Sequence, residues 1–258
     1  MALSQTQPNQ QSAGAEPFYR KFQRACLAAC IVLAPVVLFL GFALDPTGGV
    51  GVLSDARVLA ANFQAASPLQ IQLFLYLNAV TVYFFPVSFI GLGLLAMRRS
   101  PWLATIGMIV GLAGSLPFAV FVGPEALAAG LGQFGARASN VAMWQYVFSQ
   151  GAIFLLQASW VIGHLLGYVL LGIALARSRV IPLWAAGLFI VGIPFQMIAY
   201  PTRLGILQLI CFALIFIGSI PAALAMLKGR DEPALVPRGE EPAPTASEAP
   251  GRFSASKD

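Results

Sequence analysis

Charged residues are scarce in this chain, and their scarcity excludes most soluble folds. Only 10% of the 258 residues are Asp, Glu, Lys or Arg, against about 25% in an average soluble domain. Hydrophobic residues make up 58% of the sequence. A water-soluble core does not need so much apolar sequence, so the composition indicates an integral membrane protein.

Chemically reactive side chains are also few. The chain has one histidine, His164, and three cysteines, Cys26, Cys30 and Cys211, all in apolar stretches. A single histidine excludes bis-histidine haem ligation within one subunit, and a zinc site would lack clustered ligands. We therefore expect no metal, no cofactor and no catalytic residues, and we favour a non-enzymatic protein.

Six apolar runs are each long enough to cross a bilayer, which takes about 20 residues. Residues 21–228 therefore predict an all-α membrane protein, a bundle of six transmembrane helices. The polar composition of residues 1–20 and 229–258 predicts a disordered head and a disordered tail. The apolar runs cover about residues 25–44, 69–97, 102–122, 150–176, 181–200 and 204–227.

Two long loops join these runs on the outer side, at about 45–68 and 123–149. Residues 54–63 in the first loop predict a short interfacial helix with an N-cap. Gly123-Pro124-Glu125 opens the second loop and predicts a turn. With these boundaries no Asp or Glu lies in a span, which disfavours an ion-coupled pump and an intramembrane carboxylate active site.

Basic residues cluster at alternate helix ends, as the positive-inside rule requires. This asymmetry predicts a multi-pass membrane protein with both termini cytoplasmic, and it gives no sign of nucleic-acid binding. Only Arg57, Arg137 and Arg203 would then face outward. The inward-facing residues would be Arg20, Lys21, Arg24, Arg98, Arg99, Arg177, Arg179, Lys228 and Arg230.

The second and third helices resemble the fourth and fifth. At an offset of 79 residues, Asn78 matches Gln157 and Arg98 matches Arg177. This pattern fits a parallel internal repeat of a helix-hairpin unit, a device known in transporters. The alternative is that any two inner hairpins share basic residues, proline and interfacial tryptophan.

Polar residues recur in the outer halves of the predicted helices. Gln150, Gln157 and His164 are spaced by seven, so they fall near one helix face. One interpretation is an outward-facing polar cavity that binds a small or lipid-like ligand and has His164 as its floor. The alternative is a structural or scaffold subunit, in which these groups only hydrogen-bond between helices. The candidate ligand-binding residues are Asn78, Gln150, Gln157, Trp160, His164, Gln196 and Gln208.

A third hypothesis is an enzyme that acts on a lipid at the outer surface. It needs Asp45 and Glu125 around one groove with an arginine, for which Arg137 and Arg203 are the candidates. These four residues are the charged candidates of the outer face.

Two glycine pairs spaced by four, at 107 and 111 and at 163 and 167, predict close helix packing, either within the chain or between copies. The expected partners are therefore membrane lipids and a second copy of the chain, through these small-residue faces.

The run from Gly172 to Gly187, GIALARSRVIPLWAAG, resembles bacterial multi-pass membrane protein families of uncharacterised function. The resemblance covers one hairpin and the general layout of the chain. It implies a multi-pass protein of a bacterial plasma (inner) membrane, and it brings no catalytic residues.

Overall fold

The computed structural model describes residues 17–48 and 55–229, and every regular element within them is an α-helix. Six spans have the length and hydropathy of a membrane-crossing helix, which confirms the predicted all-α class. The helices are α1 (Phe18–Leu44), α2 (Ala56–Ala65), α3 (Pro68–Met97), α4 (Pro101–Ser115), α5 (Phe118–Phe134), α6 (Ala138–Ser149), α7 (Gly151–Ser178), α8 (Leu183–Thr202) and α9 (Gly205–Lys228).

The ends of the predicted domain differ slightly from those observed. Helix α1 begins at Phe18, after Pro17, so residues 18–20 belong to the first span and not to the predicted head. Helix α9 ends at Lys228, where the compact helical unit also ends. The rest of the predicted head, and the predicted tail after Gly229, lie outside the described residues.

The third span is longer than the sequence predicts, because α4 and α5 together form the candidate span Pro101–Phe134 of 34 residues. Helix α4 alone has 15 residues and rises about 22 Å, too little to cross a bilayer of about 30 Å. Pro117 precedes α5 and separates the two helices, since proline has no backbone N–H to continue α4.

The turn predicted at Gly123-Pro124-Glu125 is therefore wrong. Residues 123–134 continue α5, Pro124 lies inside that helix, and Ala138–Ser149 form α6. Glu125 lies inside a helix and within the candidate span Pro101–Phe134. By length and hydropathy, one candidate span thus includes a carboxylate, contrary to the expectation. The cause is that proline and glycine, which punctuate helices in water, are tolerated inside a packed membrane bundle.

The short helix predicted in the first outer loop is confirmed as α2. Its N-cap is Asp55, whose carboxylate accepts a hydrogen bond from the backbone N–H of Arg57 at 2.8 Å. Leu59 and Phe63 are four residues apart, so they share one helix face, and both are buried. Helix α2 packs through this face against α5 and α6.

Glycines bring α4 and α7 closer together than side chains would permit. A Cβ on Gly163 would lie 2.5 Å from the Cα of Gly114, and one on Gly167 would lie 2.5 Å from the Cα of Gly111. The small-residue faces are thus filled within the chain. Association of copies stays a prediction, and its interface would have to use another face.

The interior below these contacts is aromatic, and the outside is apolar. The Phe85 ring lies 5.3 Å from that of Trp160, and the Phe89 ring lies 4.7 Å from that of Tyr168. Large apolar side chains also cover the outer surface, including Trp102, which is 83% exposed. Such a surface suits lipid as the solvent, because water would leave these side chains unfavourably hydrated.

The six spans alternate in direction, so the start of α1 and the ends of α3, α7 and α9 lie at one end of the bundle. We call it the basic end, because Arg98, Arg99, Arg177 and Lys228 occur there. The opposite end carries α2 and α6, and we call it the cavity end for the reason given next.

Candidate ligand-binding cavity

A cavity of about 510 Å³ opens at the cavity end, within the roughly 300–1,000 Å³ typical of small-molecule sites. It lies between the spans and the short helices α2 and α6. Its lining residues are Phe42, Asp45, Thr47, Leu59, Phe63, Phe74, Phe118, Phe121, Pro124, Glu125, Ala128, Trp144, Gln157, Trp160, Val161, Met197, Tyr200 and Pro201.

The upper part of the cavity is built by α2, α5 and α6, which share a small core of their own. Phe63 of α2 meets Phe74 of α3 edge to face, with ring centroids 6.1 Å apart. Trp144 of α6 is buried in the same cluster, together with Leu131 of α5. Helix α2 packs against both α5 and α6, so the mutual packing of these helices shapes this part of the cavity.

Aromatic rings form one continuous wall. The rings of Phe118 and Trp160 are 4.6 Å apart, those of Phe118 and Phe121 are 6.2 Å apart, and those of Phe121 and Trp160 are 6.1 Å apart. Helix α5 supplies the two phenylalanines and α7 the tryptophan. The wall therefore depends on the continuation of the third span past Pro117.

Among the described residues, two acidic side chains, Asp45 and Glu125, are the only titratable acids or bases of the Asp, Glu, Lys, Arg and His types that line the cavity. Asp45 follows α1, and its Oδ1 accepts hydrogen bonds from the backbone N–H of Thr47 at 2.8 Å and from the Thr47 hydroxyl at 2.7 Å. Glu125 projects from α5, and its Oε2 atom is buried without a hydrogen-bond partner. A buried carboxylate oxygen in this state is costly, because it has lost water and gained no donor.

Two of the predicted ligand-binding residues, Gln157 and Trp160, line the cavity. His164 lies one turn deeper on α7 and is fully buried. Its ring stacks on that of Trp160 at 4.1 Å, and its Nδ1 donates to the Trp160 carbonyl. Trp160, rather than His164, therefore lines the deep end of the cavity.

His164 is joined to the cavity through a buried polar cluster. Its Nε2 lies 3.5 Å from Oε1 of Gln196 on α8, and the Cys211 thiol on α9 donates to the same oxygen at 3.5 Å. The Gln196 amide donates to the Tyr200 hydroxyl at 3.4 Å, and Tyr200 lines the cavity. The cluster links α7, α8 and α9, as interhelical hydrogen bonding predicts.

The other predicted ligand-binding residues lie elsewhere. Asn78 is buried on α3, where a Cβ on Gly41 of α1 would lie 3.4 Å from its Oδ1. Gln150 precedes α7, so the spacing of seven does not place it on the helix face, and its amide donates to the Tyr146 carbonyl at 3.0 Å. Gln208 is buried near the start of α9, and neither atom of its amide has a partner among the described residues.

The predicted charged residues of the outer face separate into two sets. Asp45 and Glu125 share the cavity, whereas Arg137 and Arg203 are exposed and do not line it. The enzyme hypothesis asked for an arginine beside the two acids, and the lining within the described ranges contains none. Nor does that part of the chain hold a group of three His, Cys, Asp or Glu residues that could bind a metal ion.

Sequence reasoning missed most of the aromatic lining. Phe118, Phe121 and Phe63 are inconspicuous in a chain with 19 phenylalanines. A usable signal was present in the third apolar run, because residues 118–134 remain apolar apart from Glu125 and Gln133. A lone carboxylate inside such a run marks a functional candidate in a membrane protein.

Comparison of the chain with known proteins identified no relative. The chain matches no protein-family model, no curated protein and no solved structure.

Proposed function

We propose that this multi-pass membrane protein binds an amphiphilic small molecule in the cavity at the cavity end of the bundle. The observation that carries the proposal is the cavity itself, about 510 Å³ with a mostly apolar lining that is rich in aromatic rings and contains two acidic side chains. Pockets of this size and character bury most of a drug-sized ligand and orient it through a few polar groups. Membrane lipids surround the bundle and supply the apolar phase from which such a ligand would partition.

The scaffold alternative accounts for a different set of residues. His164 donates to the Trp160 carbonyl within α7. Gln196 accepts a hydrogen bond from Cys211 between α8 and α9. Both residues are fully buried, so hydrogen bonding inside the bundle suffices to explain them. It does not explain Glu125, whose buried oxygen bonds to no other helix. The two roles therefore belong to different parts of the bundle. The buried polar cluster joins helices, and the neighbouring cavity binds the ligand.

The orientation of the ligand site follows from the positive-inside rule. If the basic end faces the cytoplasm, the cavity faces the outer side of a bacterial plasma membrane. The ligand would then arrive from the outer leaflet or from the periplasmic side.

The test places a larger side chain inside the cavity. Ala128 is buried on α5 and lines the cavity, whereas Ala126 is exposed on the same helix. In nanodiscs, energy transfer from Trp144 and Trp160 to a dansyl-labelled dodecyl-chain probe reports occupancy. We expect Ala128→Phe to weaken probe binding at least about tenfold, because the new ring takes up ligand volume.

Ala126→Phe is the matched control and should bind like the wild type. Both variants must show wild-type thermal unfolding before their binding is compared. Equal probe binding by a folded Ala128→Phe variant and the wild type would refute the proposal.

A further inference from the structure

Resting on the proposed function, we infer that the cavity selects a ligand with a positively charged head, an amine or quaternary ammonium, and an apolar body. The inference starts from charge. The lining contains Asp45 and Glu125 and, among the described residues, no Lys, Arg or His. A cationic head stabilises the ionised form of a neighbouring acid, whereas an anionic head opposes it, and both effects are strongest in a low-dielectric site. The two acidic side chains of the lining therefore favour a cation.

Glu125 shows where the head would sit. Its Oε2 is buried on the cavity side of α5 and makes no hydrogen bond within the described part of the chain. A buried carboxylate oxygen without a hydrogen-bond donor is unfavourable. A ligand that donates a hydrogen bond to this oxygen, or places a positive charge beside it, therefore binds more tightly. Oδ1 of Asp45 already accepts two hydrogen bonds from Thr47. These bonds fix the position of this carboxylate, which adds negative charge to the cavity.

The aromatic wall strengthens the case for an ammonium over a metal ion. Ring faces attract organic cations within about 6 Å, and tryptophan does so best. The wall of Phe118, Phe121 and Trp160 lines the same cavity as Glu125. Divalent cations instead require about six oxygen ligands, and the described residues offer no cluster of that kind.

The apolar body would lie against the apolar walls of the cavity. Leu59, Phe74 and Val161 line the cavity with no polar atom of their own side chains. Such walls bind alkyl or aryl groups, and each buried CH₂ adds to the affinity. The ligand class is therefore a cationic amphiphile, not a free inorganic ion or a sugar.

The experiment compares matched probes on the full chain in nanodiscs of an uncharged glycosyl diacylglycerol, because this lipid has no ammonium head that would compete for the cavity. Three dansyl-labelled dodecyl chains end in trimethylammonium, in its neutral isostere tert-butyl, or in sulfonate. We expect the trimethylammonium probe to bind about tenfold more tightly than the tert-butyl probe. Nanodiscs with the Ala128→Phe variant give the background from bilayer partitioning.

Two carboxylate variants locate the source of the preference. Glu125→Gln should reduce the ratio of the two affinities toward one, and Asp45→Asn should reduce it partly. Asp55→Asn is the matched control, because Asp55 lies outside the cavity and asparagine caps a helix as well as aspartate does. It should keep the wild-type ratio. If a carboxylate variant fails to fold, the ratio of the trimethylammonium and tert-butyl affinities in the wild type still tests the preference for a cation.

The outcomes separate this inference from the proposed function. If both probes bind equally well and Ala128→Phe weakens both, the cavity binds ligands but the inference is wrong. A tighter sulfonate probe, or an unchanged ratio in both carboxylate variants, also overturns the inference. If no probe binds above the Ala128→Phe background, the proposed function fails as well.

Discussion

Single glycines decide how closely the central helices of this protein approach. Gly114 on α4 sits directly against the backbone of Gly163 and His164 on α7. No side chain could fit there without separating the two helices, since the obstacle is backbone and cannot rotate away. Close approach of this kind is the main source of helix association where lipid replaces water.

We expect Gly114→Ala to lower the free energy of unfolding by about 1–3 kcal/mol, because the added methyl group overpacks a rigid contact. Denaturation of the purified protein by SDS in mixed micelles measures this change. Gly187→Ala is the matched control, since a Cβ on Gly187 meets nothing within 4 Å. It should be neutral or slightly stabilising, because alanine favours helix. Similar losses in the two variants would contradict the assigned contact.

Gln196 is the second residue whose effect can be predicted, because one amide contacts three polar partners. Gln196→Leu leaves His164, Cys211 and Tyr200 without it. We expect a loss of about 0.6–2 kcal/mol in the free energy of unfolding, the usual range for interhelical hydrogen bonds in membranes. The same SDS denaturation measures it.

Gln72→Leu is the matched control, because it makes the same substitution at an exposed position of α3. It should leave the free energy of unfolding unchanged or raise it. A neutral Gln196→Leu variant would show that the buried cluster contributes nothing to helix association.

At the scale of the helix, apolar length alone predicted α1, α3, α7, α8 and α9, because only such runs satisfy their backbone groups inside lipid. Helix α5 was missed, since Pro124 and Glu125 form a turn pattern in water. The packed bundle overrides that pattern. Helix α6 was missed because the burial of its Trp144 depends on α2 and α5, a tertiary contact that no local pattern records.

The candidate site was also predicted only in part. A spacing of seven drew attention to the face of α7, and Gln157 and Trp160 do line the cavity. The same spacing could not show that a tryptophan ring covers His164, because stacking order depends on side-chain packing. Glu125 entered the sequence reasoning only as an outer charge, since the length of the third span was underestimated.

Helix α2 offers a prediction of its own. Asp55→Ala removes the N-cap and should destabilise α2 by about 1 kcal/mol, which raises its local opening about fivefold. Hydrogen–deuterium exchange of the α2 amides measures the opening. Asp55→Asn should retain slow exchange because its amide oxygen can accept the same hydrogen bond from Arg57. Fast exchange in both variants would mean that the charge, and not the hydrogen bond, holds the helix start.

At the scale of the whole molecule, two serines at opposite ends of the bundle can report which compartment the cavity faces. Ser100 lies between α3 and α4 at the basic end, and Ser139 lies in α6 at the cavity end. With the basic end cytoplasmic, a cysteine at Ser139 should react with a membrane-impermeant maleimide in intact cells. A cysteine at Ser100 should react only after permeabilisation. The background for both variants replaces Cys26, Cys30 and Cys211 with alanine, because Cys26 is exposed.

The reverse labelling pattern would place the cavity on the cytoplasmic side. The geometry of Glu125 and the aromatic wall would be unchanged, but the ligand would then come from the cytoplasm or the inner leaflet. Because the folded bundle has the same contacts in either orientation, stability measurements cannot distinguish the two cases. Only the distribution of basic residues favours one of them, so exchanging that distribution is the decisive test. Arg98→Glu together with Arg99→Glu should increase the fraction of inverted molecules, measured as Ser100→Cys labelling in intact cells.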